Sequence, residues 1–180
     1  MPMPPPVLYL LCGLSFAGKS TLARALSGPL DAVIVEADFY IARVEREMPH
    51  AGKFESWKAI QSLARGAARE HLAAGRSVLF DDLMVDPRNR VAMAELADAA
   101  GAGFLAIYVD TPVDTIRERQ RRSSSRPEKR AAWEAHTQLL LGQLVPPPAD
   151  EAVCVLPTDT PEGILAAILY RLGPARSAKP

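Results

Sequence analysis

The sequence is short of cysteine, of excess charge and of long apolar runs. Its two cysteines, Cys12 and Cys154, each lie in an apolar run of strand length, which favours two reduced core thiols over a disulfide. The 21 basic residues balance 21 acidic ones, so bulk positive charge cannot hold a nucleic acid, although a local basic patch stays open. No apolar stretch approaches the ~20 residues that a membrane-spanning helix needs. Residues 1–6 lack the basic segment of a secretory signal, and we expect a cytoplasmic protein.

The 180 residues suffice for one domain with its own core. We predict that residues 7–174 form this domain, between a disordered start (1–6) and a disordered tail (175–180). Apolar runs of strand length alternate with helical patterns along it. This alternation predicts a three-layer α/β/α fold with a parallel sheet, in which ligands bind beyond the carboxyl ends of the strands. The predicted strands are residues 7–12, 32–35, 77–80, 104–109 and 152–156, and the predicted helices are 21–27, 54–72, 87–100, one opening at a capping box over 111–114, 131–144 and 161–172.

The first strand runs into the pattern G-x-x-x-x-G-K-[ST]. Glycines allow such a loop to curl its N–H groups around an anion, and the helix that follows points its positive end at the same place. In this pattern Lys19 reaches the β- and γ-phosphates and the Ser20 hydroxyl binds Mg²⁺. Together with Thr21, which opens the helix, the predicted nucleotide-binding residues are Gly13, Leu14, Ser15, Phe16, Ala17, Gly18, Lys19 and Ser20.

Carboxylates follow the second and third predicted strands. Asp81 closes an apolar strand in the manner of a Walker B motif, which predicts a role in holding Mg²⁺, while Asp82 points to the other side. A solvated acidic turn is the alternative for this pair. Asp38, at the tip of the second strand, suits a base that takes the proton of an incoming hydroxyl, or alternatively the N-cap of a helix starting at Phe39.

Basic residues crowd the segment 117–130. We interpret this segment as a lid whose arginines close over the transferring phosphoryl group, with Arg119 and Arg122 near its start. A nucleic-acid patch and a solvated helix face are the alternatives. Trp57 and Trp133 fall on helical faces and are predicted to be core residues, with the lining of an acceptor pocket as the other possibility.

With these residues in place, the chain from about residue 7 to 172 resembles the small phosphate-loop kinases around chloramphenicol phosphotransferase, polynucleotide 5′-kinase and zeta toxins. Their fold is similar to that of nucleoside monophosphate kinases. The resemblance implies a five-stranded sheet in the order 2-3-1-4-5, Mg-ATP as donor, a hydroxyl acceptor and Asp38 as the base. It also implies that Arg119 packs on the adenine and that Pro157 and Thr158 close the other side of the base.

Two departures weaken the polynucleotide interpretation. The third strand is followed by Asp82-Leu83-Met84 where polynucleotide kinases carry Asp-Thr-Asn, and Ile41 stands where they carry an arginine. Met84 and its apolar neighbours, with the weakly patterned residues 43–53, are expected to line an acceptor pocket beside Asp38 and Asp82. The sequence therefore favours an ATP-dependent kinase of a small-molecule hydroxyl group over a polynucleotide kinase. A nucleotide-binding regulatory ATPase or switch without an acceptor is the alternative from another class.

Overall fold

Within the residues that the structure describes, 5–173, five parallel strands form one sheet in the order β2-β3-β1-β4-β5, which confirms the predicted fold class and strand order. In this computed structural model, the register sets Leu11 of β1 opposite Asp81 of β3, and Asp81 opposite Glu36 of β2. The carboxyl ends of the three strands are therefore level. The strands are β1 (Val7–Cys12), β2 (Ala32–Glu36), β3 (Ser77–Asp81), β4 (Gly103–Val109) and β5 (Ala152–Val155).

Helices connect the strands and cover both faces of the sheet. A 3-10 helix (Ala37–Tyr40) follows β2 directly. No helix in the described part of the chain is both long and apolar enough to cross a membrane. The α-helices are α1 (Lys19–Ser27), α2 (Ile41–Glu47), α3 (Lys53–Ala73), α4 (Pro87–Ala99), α5 (Val113–Ser123), α6 (Pro127–Gln143) and α7 (Pro161–Leu172).

The core has two main layers because strand β1 is buried on both faces. Its residues alternate: Leu8 and Leu10 pack in the layer beneath α3 and α4, whereas Tyr9 and Leu11 pack in the layer beneath α1 and α7. A strand without a solvent face must be apolar throughout, which explains the unbroken run in the sequence. Helices α5 and α6 meet a smaller cluster around Ile116.

Two local expectations were wrong, those for Cys154 and Thr111, and helix α2 was not predicted. Cys12 is a buried free thiol as predicted, but Cys154 is exposed because it faces away from the layer that buries its neighbours Val153 and Val155. Residues 43–53 carry no clear pattern, yet α2 forms there with Val44 as its buried residue. Thr111 does not cap α5: the helix starts at Val113 after Pro112, and no described side chain caps it.

Part of the predicted disordered start is ordered in the structure. Pro6 is held to the sheet, because its carbonyl oxygen accepts a hydrogen bond of 2.8 Å from the Gly103 N–H. The rest of the predicted disordered start, residues 1–4, and the predicted tail, 175–180, lie outside the described residues. Asp86 is the N-cap of α4, because its carboxylate accepts from the Arg88 N–H at 2.8 Å and Pro87 opens the helix.

Candidate active site

The loop between β1 and α1 has the backbone shape that the glycine pattern predicts. Gly13 has a φ of 143°, and a Cβ on it would lie 2.7 Å from the carbonyl oxygen of Val109, so only glycine fits. Gly18 stands at the start of α1 with a φ of 109°, in the left-handed region that favours glycine. No described side chain caps α1. The first N–H groups of the helix therefore stay available to an anion.

Two side chains from beyond β4 hold this loop from outside. The Thr111 hydroxyl donates to the carbonyl oxygen of Ala17 at 2.8 Å. Arg119 Nη1 donates to the carbonyl oxygens of Phe16 and Ala17 at 2.9 and 2.7 Å. Because a peptide's C=O and N–H point in opposite directions, the Gly18 N–H points away from Arg119 and Thr111. These contacts fix the loop before any ligand arrives.

Lys19 lies buried inside the loop. Its Nζ donates to the carbonyl oxygens of Gly13 and Leu14 at 3.1 and 2.9 Å. Burial lowers the pKa of the Lys19 ammonium below its ordinary value, and the carboxylates of Asp81, Asp82 and Asp38, in that order, offset part of the effect. Lys19 of the phosphate loop therefore interacts electrostatically with all three predicted aspartates.

Asp81 is a candidate metal ligand at the carboxyl end of β3. It is buried, with 7% of its surface exposed, and interacts electrostatically with Lys19. Ser20, in the first turn of α1, is half-buried and lines the cleft described below. Among residues 5–173, no cluster of three or more His, Cys, Asp or Glu could hold a metal on its own. One carboxylate and one hydroxyl fit the oxygen preference of Mg²⁺, which commonly completes its shell with water and phosphate oxygens.

Asp82 lies beside Asp81 and has two hydrogen-bond donors. Its Oδ1 accepts from the Leu83 N–H at 2.7 Å, and its Oδ2 accepts from Gln61 Nε2 of α3 at 2.6 Å. Burial raises the pKa of Asp82 above its ordinary value and the Asp38 carboxylate adds to the rise, while the two hydrogen bonds and Lys19 oppose it. The alternative of a solvated acidic turn is therefore wrong for this pair.

Asp38 is exposed at the tip of β2, in the 3-10 helix that follows the strand. The N-cap alternative is wrong, because Glu36 occupies the cap position and no described side chain makes a capping hydrogen bond there. The carboxylate of Asp38 is therefore not used in capping. The carboxylate of Asp38 interacts electrostatically with Lys19 of the phosphate loop and with Asp82.

A cleft of about 650 Å³ opens next to the loop. Its walls are the loop and first turns of α1, Arg119 and Ser123 of α5, and the segment after β5. Pro157 and Asp159 line the cleft, whereas Thr158 is not part of the lining. The Asp159 carboxylate accepts from the Leu156 N–H at 2.7 Å and fixes that turn. The shape suits a nucleotide whose phosphates lie in the loop.

The predicted lid, residues 117–130, spans the end of α5, a break and the start of α6. Of the two arginines predicted to be catalytic, Arg119 contacts the phosphate loop. Arg122 is exposed and pairs with Glu118 instead. On another face of α5, Arg117 pairs with Glu134 of α6. The guanidinium of Arg119 contacts the loop, so the packing on adenine that the resemblance implied stays a prediction.

A comparison with models of protein families identifies the family of this chain. The model of an AAA domain family, AAA_33, matches residues 8–147, which is more than half of the chain. The chain belongs to this family. A comparison with curated proteins found no match.

Solved kinases share the fold of this AAA domain. APS kinase CysC of Mycobacterium tuberculosis, solved in complex with AMPPNP and APS, is 16% identical with a TM-score of 0.69, over 94% of this chain and 99% of that one. A sugar kinase of Janibacter sp. HTCC2649 is 20% identical (TM-score 0.64; 94% and 95% covered). A gluconokinase of Sinorhizobium meliloti 1021 is 19% identical (TM-score 0.63; 94% and 93% covered). The narrower resemblance to chloramphenicol phosphotransferase stays a prediction.

The segment after β3 does not form the apolar acceptor pocket that the sequence predicts. Met84 is 3% exposed, with a φ of 47°, and packs in the core beneath α3 and α4. Val85 is also buried. Little of either side chain is left for a ligand, so the predicted contact of Met84 with the substrate has no exposed surface to support it. Trp57, predicted to be a core residue, is 43% exposed on α3.

Sequence reasoning missed Gln61, the partner of Asp82. Gln61 lies four residues after Trp57 on α3 and is 6% exposed, so it is a polar residue on the face that the helix buries. A glutamine within the predicted apolar face was the available signal. Trp133, on α6, is half-buried and packs edge-on against Phe16 of the phosphate loop, with ring centroids 4.9 Å apart.

Proposed function

We propose that the protein is an ATP-dependent phosphotransferase that moves the γ-phosphoryl group to a hydroxyl group of a small molecule. The observation that carries this proposal is the exposed carboxylate of Asp38, which interacts electrostatically with the buried Lys19 of the phosphate loop. A phosphate loop alone also fits switches and hydrolases. A kinase also needs a carboxylate near the loop that can accept the proton of an alcohol, and exposed Asp38 suits this role.

The donor side follows from the loop and the cleft. The N–H groups at the start of α1 and the ammonium of Lys19 would hold the phosphates of ATP, and the 650 Å³ cleft would hold its nucleoside. Ser20 and Asp81 would hold Mg²⁺, which, when bound, supplies positive charge to the phosphate oxygens. The AMPPNP complex of a structurally similar APS kinase supports a nucleotide as the ligand.

The transfer step uses Asp38 and the arginines of α5. The acceptor oxygen forms a bond to the γ-phosphorus, the bond from that phosphorus to the β,γ-bridging oxygen breaks, and ADP leaves. The hydroxyl proton passes to the carboxylate of Asp38. Arg119 already contacts the loop, and there it would stabilise the negative charge on the transferring phosphoryl group. Arg122 would first have to break its ion pair with Glu118 before it could do the same.

The experiment is acceptor-dependent ADP formation with MgATP and a panel of sugars, sugar acids, amino alcohols and antibiotics carrying hydroxyl groups. Asp38→Ala should bind MgATP by calorimetry as the wild type does, yet lose about 10²–10⁴ in transfer rate. Asp98→Ala, at an exposed acid near the end of α4, is the matched control and should keep the native rate. An Asp38→Ala protein with native transfer would remove Asp38 as the base.

The match to an AAA domain family favours a second candidate, a regulatory ATPase without a phosphate acceptor. This candidate predicts slow ADP formation that no compound in the panel accelerates. A 5′-hydroxyl oligonucleotide in the same panel tests the polynucleotide kinase alternative. Transfer of labelled phosphate to it, with a steep dependence on salt, would favour that activity.

A further inference from the structure

Asp159 belongs to the turn after β5 that forms one wall of the 650 Å³ cleft. Its Oδ2 accepts a hydrogen bond from the Leu156 N–H at 2.7 Å, and its own N–H donates to the Leu156 carbonyl oxygen at 3.0 Å. The two hydrogen bonds close the turn and hold the carboxylate in one orientation. Asp159 is nevertheless exposed, and no described residue donates to its Oδ1. A fixed carboxylate oxygen therefore stands open to a ligand in the cleft.

The strand order sets this turn apart from the phosphate loop. The loop follows β1, whereas the turn follows β5, and β4 lies between these two strands. At about 4.8 Å from strand to strand, the ends of β1 and β5 are about 10 Å apart. A nucleotide with its phosphates in the loop would reach across this distance with its ribose and place its base against the turn.

The wall around Asp159 is otherwise apolar. Leu156, Pro157 and Ile164 line it, and Leu156 is 48% exposed. Apolar walls suit the flat faces of a nucleobase, while a small number of fixed polar groups gives such a pocket its specificity. Among the described residues that line the cleft, Asp159 carries the one carboxylate. An N–H group at the edge of the base would therefore meet one anionic acceptor there.

The chemistry of a carboxylate selects among bases. An ionised carboxylate accepts hydrogen bonds and donates none, so it attracts an amino group and repels a carbonyl oxygen. Adenine carries an amino group at position 6, where hypoxanthine and guanine carry an oxygen. Guanine offers two adjacent N–H groups on another edge, which match a carboxylate with both oxygens free. One oxygen of Asp159 is already held by the Leu156 N–H, so the other matches a single amino group.

We infer that Asp159 selects the donor nucleotide by accepting a hydrogen bond from the 6-amino group of adenine. This inference rests on the proposed function, which makes ATP the donor, and adds the residue that distinguishes ATP from other purine nucleotides. Asp159 is thus a specificity residue of the donor site and takes no part in the transfer step.

Calorimetric titration with nucleotides and Mg²⁺ tests the inference without any phosphate acceptor. The probes are ATP, purine riboside triphosphate, which has no group at position 6, and the 6-oxo nucleotides ITP and GTP. We expect ATP to bind at least about tenfold more tightly than each of the other three, because a site built to bind an N–H group rejects an analogue without it.

Asp159→Asn exchanges the acceptor that faces the base for a donor. The Leu156 N–H keeps the amide oxygen as its partner, which leaves Nδ2 in the place of Oδ1. Nδ2 would repel the 6-amino group and donate to a 6-oxo group, so ITP should now bind more tightly than ATP. The lost negative charge affects every triphosphate alike and leaves their ratio unchanged. Asp150→Asn, at an exposed acid before β5 and outside the cleft lining, is the matched control and should keep the wild-type ratio.

The outcomes separate the two proposals. If no nucleotide binds, the proposed function fails and the inference falls with it. If the four nucleotides bind alike, or if GTP binds most tightly, the loop and cleft still hold a donor nucleotide and the inference is wrong. The inference is also overturned if Asp159→Asn, shown to be folded by its thermal transition, keeps the wild-type preference for ATP. If this variant does not fold, purine riboside triphosphate on the wild type decides, because equal binding with ATP would exclude any contact to the 6-amino group.

Discussion

Replacing Gly13 by alanine should cost more than any other single methyl group added to the phosphate loop. The new Cβ would lie 2.7 Å from the main-chain oxygen of Val109, which cannot rotate away, and the φ of 143° is strained for alanine. Overpacking costs about 1–3 kcal/mol and such a backbone conformation about 1–3 kcal/mol more. Gly13→Ala should therefore lose about 2–6 kcal/mol of a typical 5–15 kcal/mol free energy of unfolding. Because Val109 also lines the cleft, MgATP binding should weaken with it.

Urea unfolding followed by far-ultraviolet circular dichroism measures this loss. Gly66→Ala is the matched control, because Gly66 lies within α3 and nothing is within 4 Å of the added Cβ. Alanine is the better helix former, so this variant should gain about 0.5–1 kcal/mol. The two substitutions add the same methyl group and should change stability in opposite directions. A Gly13→Ala protein within about 1 kcal/mol of the wild type would refute the reasoning.

Three further predictions concern contacts around the loop. Thr111→Val removes the 2.8 Å hydrogen bond to Ala17 and should cost about 1–2 kcal/mol, which calorimetry would show as a Tm lower by about 2–8 °C. Arg119→Lys should weaken MgATP binding about tenfold because two hydrogen bonds to the loop are disturbed, and an equal loss in the exposed control Arg121→Lys would contradict this. Burial raises the pKa of Asp82, so the folded state holds that proton more firmly and stability falls as the pH rises from about 4 through the folded pKa. Asp82→Asn does not titrate, so its stability relative to the wild type should rise as the pH increases from about 4 in urea titrations, and a difference independent of pH would count against the sign.

The sheet could be predicted because its determinants are local. Each strand that is buried on both faces needs an unbroken apolar run, and β1 is buried at every one of its residues. The same holds for the phosphate loop, since Gly13 and Gly18 adopt backbone conformations that glycine favours. The N-cap at Asp86 is equally local, because donor and acceptor are two residues apart. Such features are determined by residues close together in the sequence, so the sequence alone predicts them.

The contacts that complete the site are not local, and the sequence gives no direct signal for them. Gln61 and Asp82 are 21 residues apart, and Arg119 is 103 residues from Phe16, whose carbonyl oxygen it holds. Thr111 fits a capping pattern, but its hydroxyl finds Ala17 94 residues away and the helix starts without it. Local propensity yields wherever packing brings a stronger partner within reach. Hydrogen bonds between residues so far apart in the sequence depend on the fold, so they can be predicted only once the strand order is known.

The charges on the two sides of the phosphate loop bear on the acceptor. The donor side offers the N–H groups of α1 and the guanidinium of Arg119, which suit phosphate oxygens. On the other side, the carboxylates of Asp81, Asp82 and Asp38 interact electrostatically with the buried ammonium of Lys19. A nucleic acid would carry its phosphates toward these carboxylates, which repel them, whereas a neutral polyol or a cationic amino alcohol would not be repelled. The same carboxylates that would suit Mg²⁺ and proton transfer in the proposed function therefore disfavour a polyanionic acceptor.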